Sequence, residues 1–356
     1  MKKKVLKYGV GIDMSKDNFH VCFVEQLLEG PIKVKGQRKF TNNLSGFKLL
    51  ISWIKKYRKE TNLSCKILME VTGVYHEHLL NYLFEKGFDV CLEMGKRVKA
   101  YLSVIGHKSK NDKLDGRGIA QMICERDIKL WKPASPQLME IREALRHRKS
   151  LLKNKNQIKN RMHASSYKKV SSRQLKQSQK RLLKQLKEEI KKMDAYILTL
   201  VKKDPELERK VYQIIDSVKG LAETSVLTVI AETNGFYSMS SLRQLVSYAG
   251  YDVKEKSSGD FKGKPRISKR GNVHIRSVLY MPVLSLLRSK VKPFYDLYIR
   301  LLKRNGGLKK KANVAIQRKL LVLIYTLWKN DTAFNADYYK EKNILLNQEL
   351  KEVVPI

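Results

Sequence analysis

In a chain with 73 Lys+Arg against 34 Asp+Glu, carboxylates lying in apolar runs are the first candidates for chemistry. Asp13 closes Tyr8-Gly-Val-Gly-Ile-Asp13 and Glu70 closes Cys65-Lys-Ile-Leu-Met-Glu70, each where a short buried strand would end. Asp112 and Asp115 stand three apart in Asn111-Asp-Lys-Leu-Asp115, so a helix presents both on one face. Carboxylates on two strand ends and one helical face can hold two divalent ions about 4 Å apart. Mg2+, or Mn2+ in its place, prefers oxygen donors and keeps several waters, so few protein ligands suffice. Such a site neutralises phosphate oxygens and activates the attacking oxygen. Asp17 and Glu93 are competitors at similar positions and rank lower. Any one of these acids alone reads as a surface residue or a cap, and Asp115 as a partner of Asp112 or a nearby Lys. The ordered set of four carries the metal reading.

A second constellation is Lys256-Ser-Ser-Gly-Asp-Phe-Lys-Gly-Lys-Pro-Arg-Ile-Ser-Lys-Arg-Gly-Asn272, followed by His274 and Arg276. Glycines allow close backbone approach. Lys256, Lys262, Lys264, Arg266, Lys269, Arg270 and Arg276 supply the charge of a phosphate-gripping loop. A serine flanked by Gly259 can attack a phosphodiester if its proton affinity is lowered. On composition alone the commoner role is hydrogen-bond donor or turn former. His76, His107 and His274 have no spacing that implies a catalytic pair or a metal cluster.

The acids need elements to hold them. Residues 7–13 and 18–26 read as strands joined by Ser15-Lys-Asp-Asn18, and about 32–40 as a third strand. Asn42 or Asn43 can cap a helix running to about 59, with Leu44, Phe47, Leu50, Ile51 and Ile54 on one stripe. A strand at 66–70, a helix at 74–86, a strand at 88–92 and helices at about 95–105 and 112–125 follow. Three antiparallel strands and then helix, strand, helix, strand is the order of a ribonuclease-H-like α/β fold. That topology sets strands one and four side by side, bringing Asp13 and Glu70 together.

From about 137 to 204 glycine is absent and basic and polar residues dominate. Leu138, Ile141 and Leu145 begin one apolar seam; Leu182, Leu186, Ile190, Met193, Ile197 and Leu200 form another, around a polar turn at 163–172. The pattern predicts a long antiparallel helical hairpin, either a dimerising coiled coil or a hairpin with a solvated basic face. After Pro205 a mostly helical region follows. A Lys219-Gly220 turn joins two helices within 214–230, and such a turn either lays backbone N–H groups on a phosphate or is an ordinary corner. A helix over 236–250, led by Ser238 or Ser240, precedes a Gly/Ser/Lys-rich loop at 252–272, then helices at 273–287, 293–304 and 309–328. The expected domains are 1–135, 136–205, 206–330 and a tail, 331–356.

The 356 residues suffice for several cores, and the formal charge of +39 points to a polyanion as partner. No apolar run of about 18 residues, amphipathic anchor or signal peptide is read, so no membrane role is expected. Cys22, Cys65, Cys91 and Cys124 are widely separated and predicted to be buried reduced thiols. The expected compartment is cytoplasmic.

Gly11-Ile-Asp13-Met-Ser-Lys16, Met69-Glu70-Val-Thr-Gly-Val-Tyr75, Lys110-Asn-Asp112-Lys-Leu-Asp115 and Ile119-Ala120 resemble the RuvC-like DEDD domain of bacterial insertion-sequence transposases. The group is IS one-ten, with its IS eleven-eleven branch and the Piv DNA invertases. Leu245–Gly250, Ser257-Ser258-Gly259 and Ile267-Ser-Lys-Arg-Gly-Asn272 through Arg276 resemble the same family's C-terminal transposase domain. The likeness spans about 7–330, with two domains in the family's order. It implies a bacterial, nucleoid-associated recombinase that acts on donor and target DNA as a dimer or tetramer. It further implies Mg2+ at Asp13, Glu70, Asp112 and Asp115, a DNA-cleaving serine corresponding to Ser258, and a structured noncoding guide RNA. Ser257 beside it leaves the assignment ambiguous by one residue. Asn111, Gly116 and Val71 depart from the usual Thr, Ala and Ala, and none is an expected ligand. Two other readings are a structure-selective nuclease using metal-activated water, which leaves no protein–DNA adduct, and a non-catalytic nucleic-acid binder, in which Asp13→Asn changes nothing.

Overall fold

The computed structural model describes residues 4–71, 73–106, 112–169, 172–237, 239–255, 257–258, 261–263, 265–304, 306–335 and 337; the side chains of Asp112, Lys113, Ser258 and Lys262 lie outside the description. The chain divides into two units, Met1–Pro133 and Ala134–Ile356.

In the first unit, β1 (Val5–Met14), β2 (Asn18–Leu27), β3 (Lys33–Thr41), β4 (Cys65–Val71) and β5 (Asp89–Met94) form one sheet in the order β3-β2-β1-β4-β5. β1, β2 and β3 pair antiparallel; β4 pairs parallel with β1 and with β5. This is the ribonuclease-H-like order expected from the sequence. Ser15 closes the first hairpin, its N–H and Oγ both donating to the Asn18 carbonyl at 2.9 and 2.6 Å.

Side chains alternate across the sheet. Tyr8, Val10, Ile12, Ile67 and Met69 turn to one side, where α1 (Leu44–Tyr57) and α2 (Glu77–Glu85) cover them with Phe47, Leu50, Ile54, Leu79 and Leu83. Asn43 caps α1, its side chain accepting from Gly46 N–H at 2.9 Å. A fully buried Leu or Ile here contributes about 1.5–3 kcal/mol. Leu68 and Cys91 turn to the other side, under α3 (Gly95–Val104) and α4 (Asp112–Glu125), against Val98, Ile119 and Ile123. All four cysteines are buried and unbridged. Burial pushes Cys22, Cys65 and Cys91 up to about 11 and Cys124 to about 12, so these thiols stay protonated and inert at neutral pH.

The second unit opens with the helical hairpin, α5 (Pro136–Ser166) and α6 (Arg173–Lys202). Then come α7 (Pro205–Ser217), α8 (Glu223–Glu232), α9 (Leu242–Ala249), α10 (Val273–Val278), α11 (Tyr280–Arg288), α12 (Phe294–Arg304) and α13 (Lys309–Asn330). Only one end of the hairpin enters the core: Ile141, Leu145, Ile197 and Leu200 pack with the helices from α7 onward. Leu175 and Leu182, toward the turn, are exposed.

Two expectations change. The helix expected over 236–250 begins at Leu242, capped by Ser241, whose Oγ accepts from Gln244 N–H. Asn234, Gly235 and Phe236 take left-handed backbone, which no helix tolerates in sequence, and this turns the Phe236 ring into the core against Tyr325. Ser238 lies outside the described residues. The loop expected over 252–272 contains two short antiparallel ladders, β6 (Val253–Lys254) with β9 (Arg266–Ile267) and β7 (Ser257–Ser258) with β8 (Phe261–Lys262). The sequence pattern hides them because each strand is two residues long.

Candidate functional site

The alternation that buries Ile12 and Met69 under α1 and α2 turns their neighbours, Asp13 and Glu70, toward the side of α3 and α4. Ile12 pairs with Met69 in the parallel register, so the acids occupy the next positions along adjacent central strands. Glu70 lies against the start of α3: a β-carbon on Gly95 would collide with its Oε1. The side chain and the first turn of α3 thus share one space, which glycine leaves open and whose N–H groups favour an anion.

Two glycines fix α4 over β1. A β-carbon on Gly9 would meet the Cys124 Sγ at 2.5 Å and the Ala120 carbonyl at 2.8 Å; one on Gly11 would collide with Ala120 N and the Gly116 carbonyl. Moving up the strand from Gly9 to Gly11 moves down the helix from Cys124 to Gly116. α4 therefore runs antiparallel to β1. Two strand residues advance about 6.6 Å, which about four helical residues match. The same step again sets Asp13 level with the first turn of α4, the turn that begins at Asp112 and includes Asp115. Asp115 is partly buried; the Asp112 side chain lies outside the described residues.

Glu93 pairs with Glu70 across β4 and β5 and is buried, but it is engaged locally. It accepts from Met94 N–H at 2.9 Å and lies 3.4 Å from the Arg97 guanidinium. Asp17 sits in the hairpin turn, its carbonyl accepting from Asn42 N–H. Among the described residues no three His, Cys, Asp or Glu side chains are gathered closely enough to hold a metal ion. The carboxylates of Asp13, Glu70 and Asp115, on two strands and one helix, nevertheless offer the hard oxygen donors that a divalent cation prefers.

In the second unit, Ser257 faces Lys262 and Ser258 faces Phe261 in the β7–β8 ladder. Ser257 is exposed and so is the Phe261 ring. Arg266 lies on β9 opposite Lys254, and Ile267 beside it packs on the core, anchoring the base of the hairpin. Lys256 and Lys264 lie outside the described residues, as do the side chains of Ser258 and Lys262. Lys269 and Arg270 are exposed in the segment leading to α10. Arg276 has a structural engagement: its Nη1 donates to the Ala249 carbonyl at 2.7 Å and to that of Asn272 at 3.3 Å.

That segment is held by a buried carboxylate. Glu232, 3% exposed, accepts from Arg146 Nε and Nη2, each at 2.7 Å, and from Asn272 Nδ2 at 2.7 Å. Asn272 also caps α10, its Oδ1 accepting from His274 and Ile275 N–H. Burial alone would raise the Glu232 pKa; the hydrogen bonds from Arg146 and Asn272 outweigh it and hold the carboxyl below the usual glutamate value. Gly271 packs where a β-carbon would strike the Tyr248 carbonyl, and Lys269 N–H donates to the Gly250 carbonyl at 3.1 Å. Ser268 Oγ donates to Asp252 and accepts from Arg270 N–H, so Ser268, Gly271 and Asn272 shape the backbone, while the Lys269 and Arg270 side chains are exposed.

Residues 10–166 match the DEDD-type IS110 transposase family, and residues 212–298 match the transposase IS116/IS110/IS902 family. The chain belongs to the IS110-family transposases. It is 24% identical over 335 residues to the pilin gene-inverting protein of Moraxella bovis, covering 92% of this chain and 98% of that one. It is 23% identical over 348 residues to the transposase for insertion sequence element IS1111A of Coxiella burnetii, covering 89% and 88%. Among solved structures, Thermus thermophilus RuvC aligns at 13% identity and a TM-score of 0.27, over 35% of this chain and 99% of RuvC. At that score the fold assignment rests on the strand order above.

Two features of this transposase were not read from its sequence. Glu232 with Arg146, 86 residues apart, was missed because nothing in either neighbourhood marks a pair. His20, the cross-strand partner of Asp13, was missed because register is set by pairing rather than by composition. No described helix is long and apolar enough to cross a membrane.

Proposed function

We propose that this transposase cuts and rejoins DNA through Ser258, with Asp13, Glu70, Asp112 and Asp115 as ligands of Mg2+ or Mn2+. The observation that carries the metal half is the register of Asp13 beside Glu70, with the first turn of α4 level with Asp13. When bound, the ions neutralise charge on the scissile phosphate and favour the ionised form of an attacking oxygen. Ser258 Oγ gives up its proton and forms a bond to phosphorus. The P–O3′ bond breaks, and the departing oxygen takes up a proton as a free 3′-hydroxyl. A phosphoserine link keeps the phosphodiester energy, so rejoining to a different strand needs no nucleotide cofactor. The exposed Lys269, Arg270 and Arg266, with Lys256, Lys262 and Lys264, bind the flanking phosphates. Excision with insertion, as an insertion-sequence transposase performs, and inversion, as the name of the Moraxella protein states, both follow from this cut-and-rejoin step. A structured guide RNA reads the DNA sequence by pairing, and the protein acts as a homo-oligomer.

The test is incubation of protein, RNA and labelled DNA with Mg2+, followed by denaturing gel analysis. A protein–DNA adduct is expected, lost in Ser258→Ala and kept in Ser257→Ala. The reverse pattern moves the nucleophile to Ser257. Cleaved ends with no adduct in the unaltered protein would give the attack to water.

A further inference from the structure

The second unit contains a cavity of about 600 Å3 between α5, α8 and α10–α11. Its size lies within the ~300–1,000 Å3 range of small-molecule sites. Its lining mixes apolar side chains, Leu145, Leu152, Val278, Met281 and Pro282, with cations, Arg142, Arg146, Arg148, Lys149 and Arg288, and α5 and α11 each supply both kinds. The only carboxylate among the lining residues, Glu232, is already shared between Arg146 and Asn272. Arg148 pairs with Asp194, whereas Arg142, Lys149 and Arg288 have no ion pair among the described residues. Lys149 Nζ is bonded to the Ser277 hydroxyl, and no described carboxylate lies within ion-pairing distance of it. Desolvation by its surroundings lowers its pKa even though the side chain keeps contact with solvent. Arg142 and Arg288 make no side-chain hydrogen bond or ion pair among the described residues. A cavity that offers both unpaired cations and apolar side chains suits a ligand with an anionic end and a flat, weakly polar body.

We propose that this cavity takes one unstacked nucleotide of the nucleic-acid substrate, its base against Leu152, Met281 and Pro282 and its phosphate on Arg142, Lys149 and Arg288. The charge of +39 and the transposase family both bring nucleic acid to this surface, so nucleotides meet the cavity at high local concentration. Extruding a nucleotide costs stacking, which contact with apolar side chains and charged groups offsets. The proposal rests on the chain being a nucleic-acid recombinase, but not on the serine mechanism, because nucleotide binding needs no strand cleavage.

Isothermal titration of the full chain with adenosine 5′-monophosphate, its 2′-deoxy counterpart, and inorganic phosphate tests it. One nucleotide is expected to bind at least tenfold more tightly than phosphate. A tighter ribonucleotide assigns an RNA strand to the pocket, a tighter deoxynucleotide a DNA strand. The double variant Arg142→Ala, Lys149→Ala is expected to weaken nucleotide binding tenfold or more. Met281→Trp, at an exposed position where folding is not at risk, fills the pocket and should do the same. Phosphate binding as tight as nucleotide binding, or nucleotide binding untouched by either variant, would overturn the proposal.

Discussion

Asp13 and Glu70 stand at the ends of strands that are hydrogen-bonded to neighbours on both sides, whereas Ser258 belongs to a two-residue strand with a single partner. β1 is further clamped by α4 through Gly9 and Gly11, so displacing Asp13 means moving a helix and two ladders together. The hairpin that carries Ser258 is tied down at its base, by Ile267 in the core and by Asn272 on Glu232. One region is held by the buried scaffold immediately beneath it. In the other, the described contacts lie at the root of the hairpin. Under the proposed mechanism, a rigid set of acids suits ions whose positions must not drift, and a hairpin suits a nucleophile that has to meet a phosphate and later let it go.

The largest expected effect breaks both sides at once. Asp13→Asn and Ser258→Ala should each lower strand cleavage by at least about 10³-fold while DNA binding persists, as seen on adduct gels and filter binding. If only Asp13→Asn has that effect, the sheet unit is the whole catalyst and the serine hairpin is a phosphate grip.

Stability measurements sharpen the contrast. Gly11→Val drives methyl groups into the backbone of α4 at Ala120 and Gly116, and neither can yield locally. A loss of about 2–3 kcal/mol in the first unit is expected by denaturant unfolding. An unchanged midpoint would mean that α4 does not clamp β1.

In the second unit, Arg146→Ala removes the guanidinium from a carboxylate that is 3% exposed. Since the arginine side chain is 47% exposed, about 2 kcal/mol is expected, less than for breaking a fully buried pair. The carboxyl is held below its ordinary value of 4.5 in the fold. Its contribution is therefore full above about pH 4.5 and is lost as the pH falls from there through the lower folded value. Acid unfolding followed by circular dichroism should show this step, and Arg146→Ala should flatten it.

The smallest effect belongs to single charges on the serine hairpin. Arg266→Ala should cut DNA affinity only a few-fold and reduce the slope of log affinity against log salt by about 1. No change in slope would take Arg266 off the phosphates.

Much of the first unit was legible because its signals are local and periodic. The five strands, their order and the helix after Asn43 follow from alternation, turn residues and a cap, and the structure agrees within a few residues. The serine hairpin has the sequence signature of a loop because two-residue ladders leave no period to detect. The helix expected from Phe236 failed for a different reason. Serines compete for the backbone and favour caps, Ser241 caps α9 at Leu242, and the left-handed residues Asn234, Gly235 and Phe236 precede it.

Residue types and their spacing were enough to determine the ribonuclease-H-like unit, and they singled out four acids, a basic serine segment and a polyanionic partner as candidates. Each of these depends on interactions between residues near in sequence, or on the sum of charges. Pairing across distance was decided only in three dimensions. The level at which α4 crosses β1 is set by two glycines that admit backbone contact. The root of the serine hairpin is set by Glu232, whose burial demands donors from Arg146 and Asn272 wherever the chain can supply them. The cavity beside it exists because α5 returns to pack on α8, and no local property of either helix encodes that meeting.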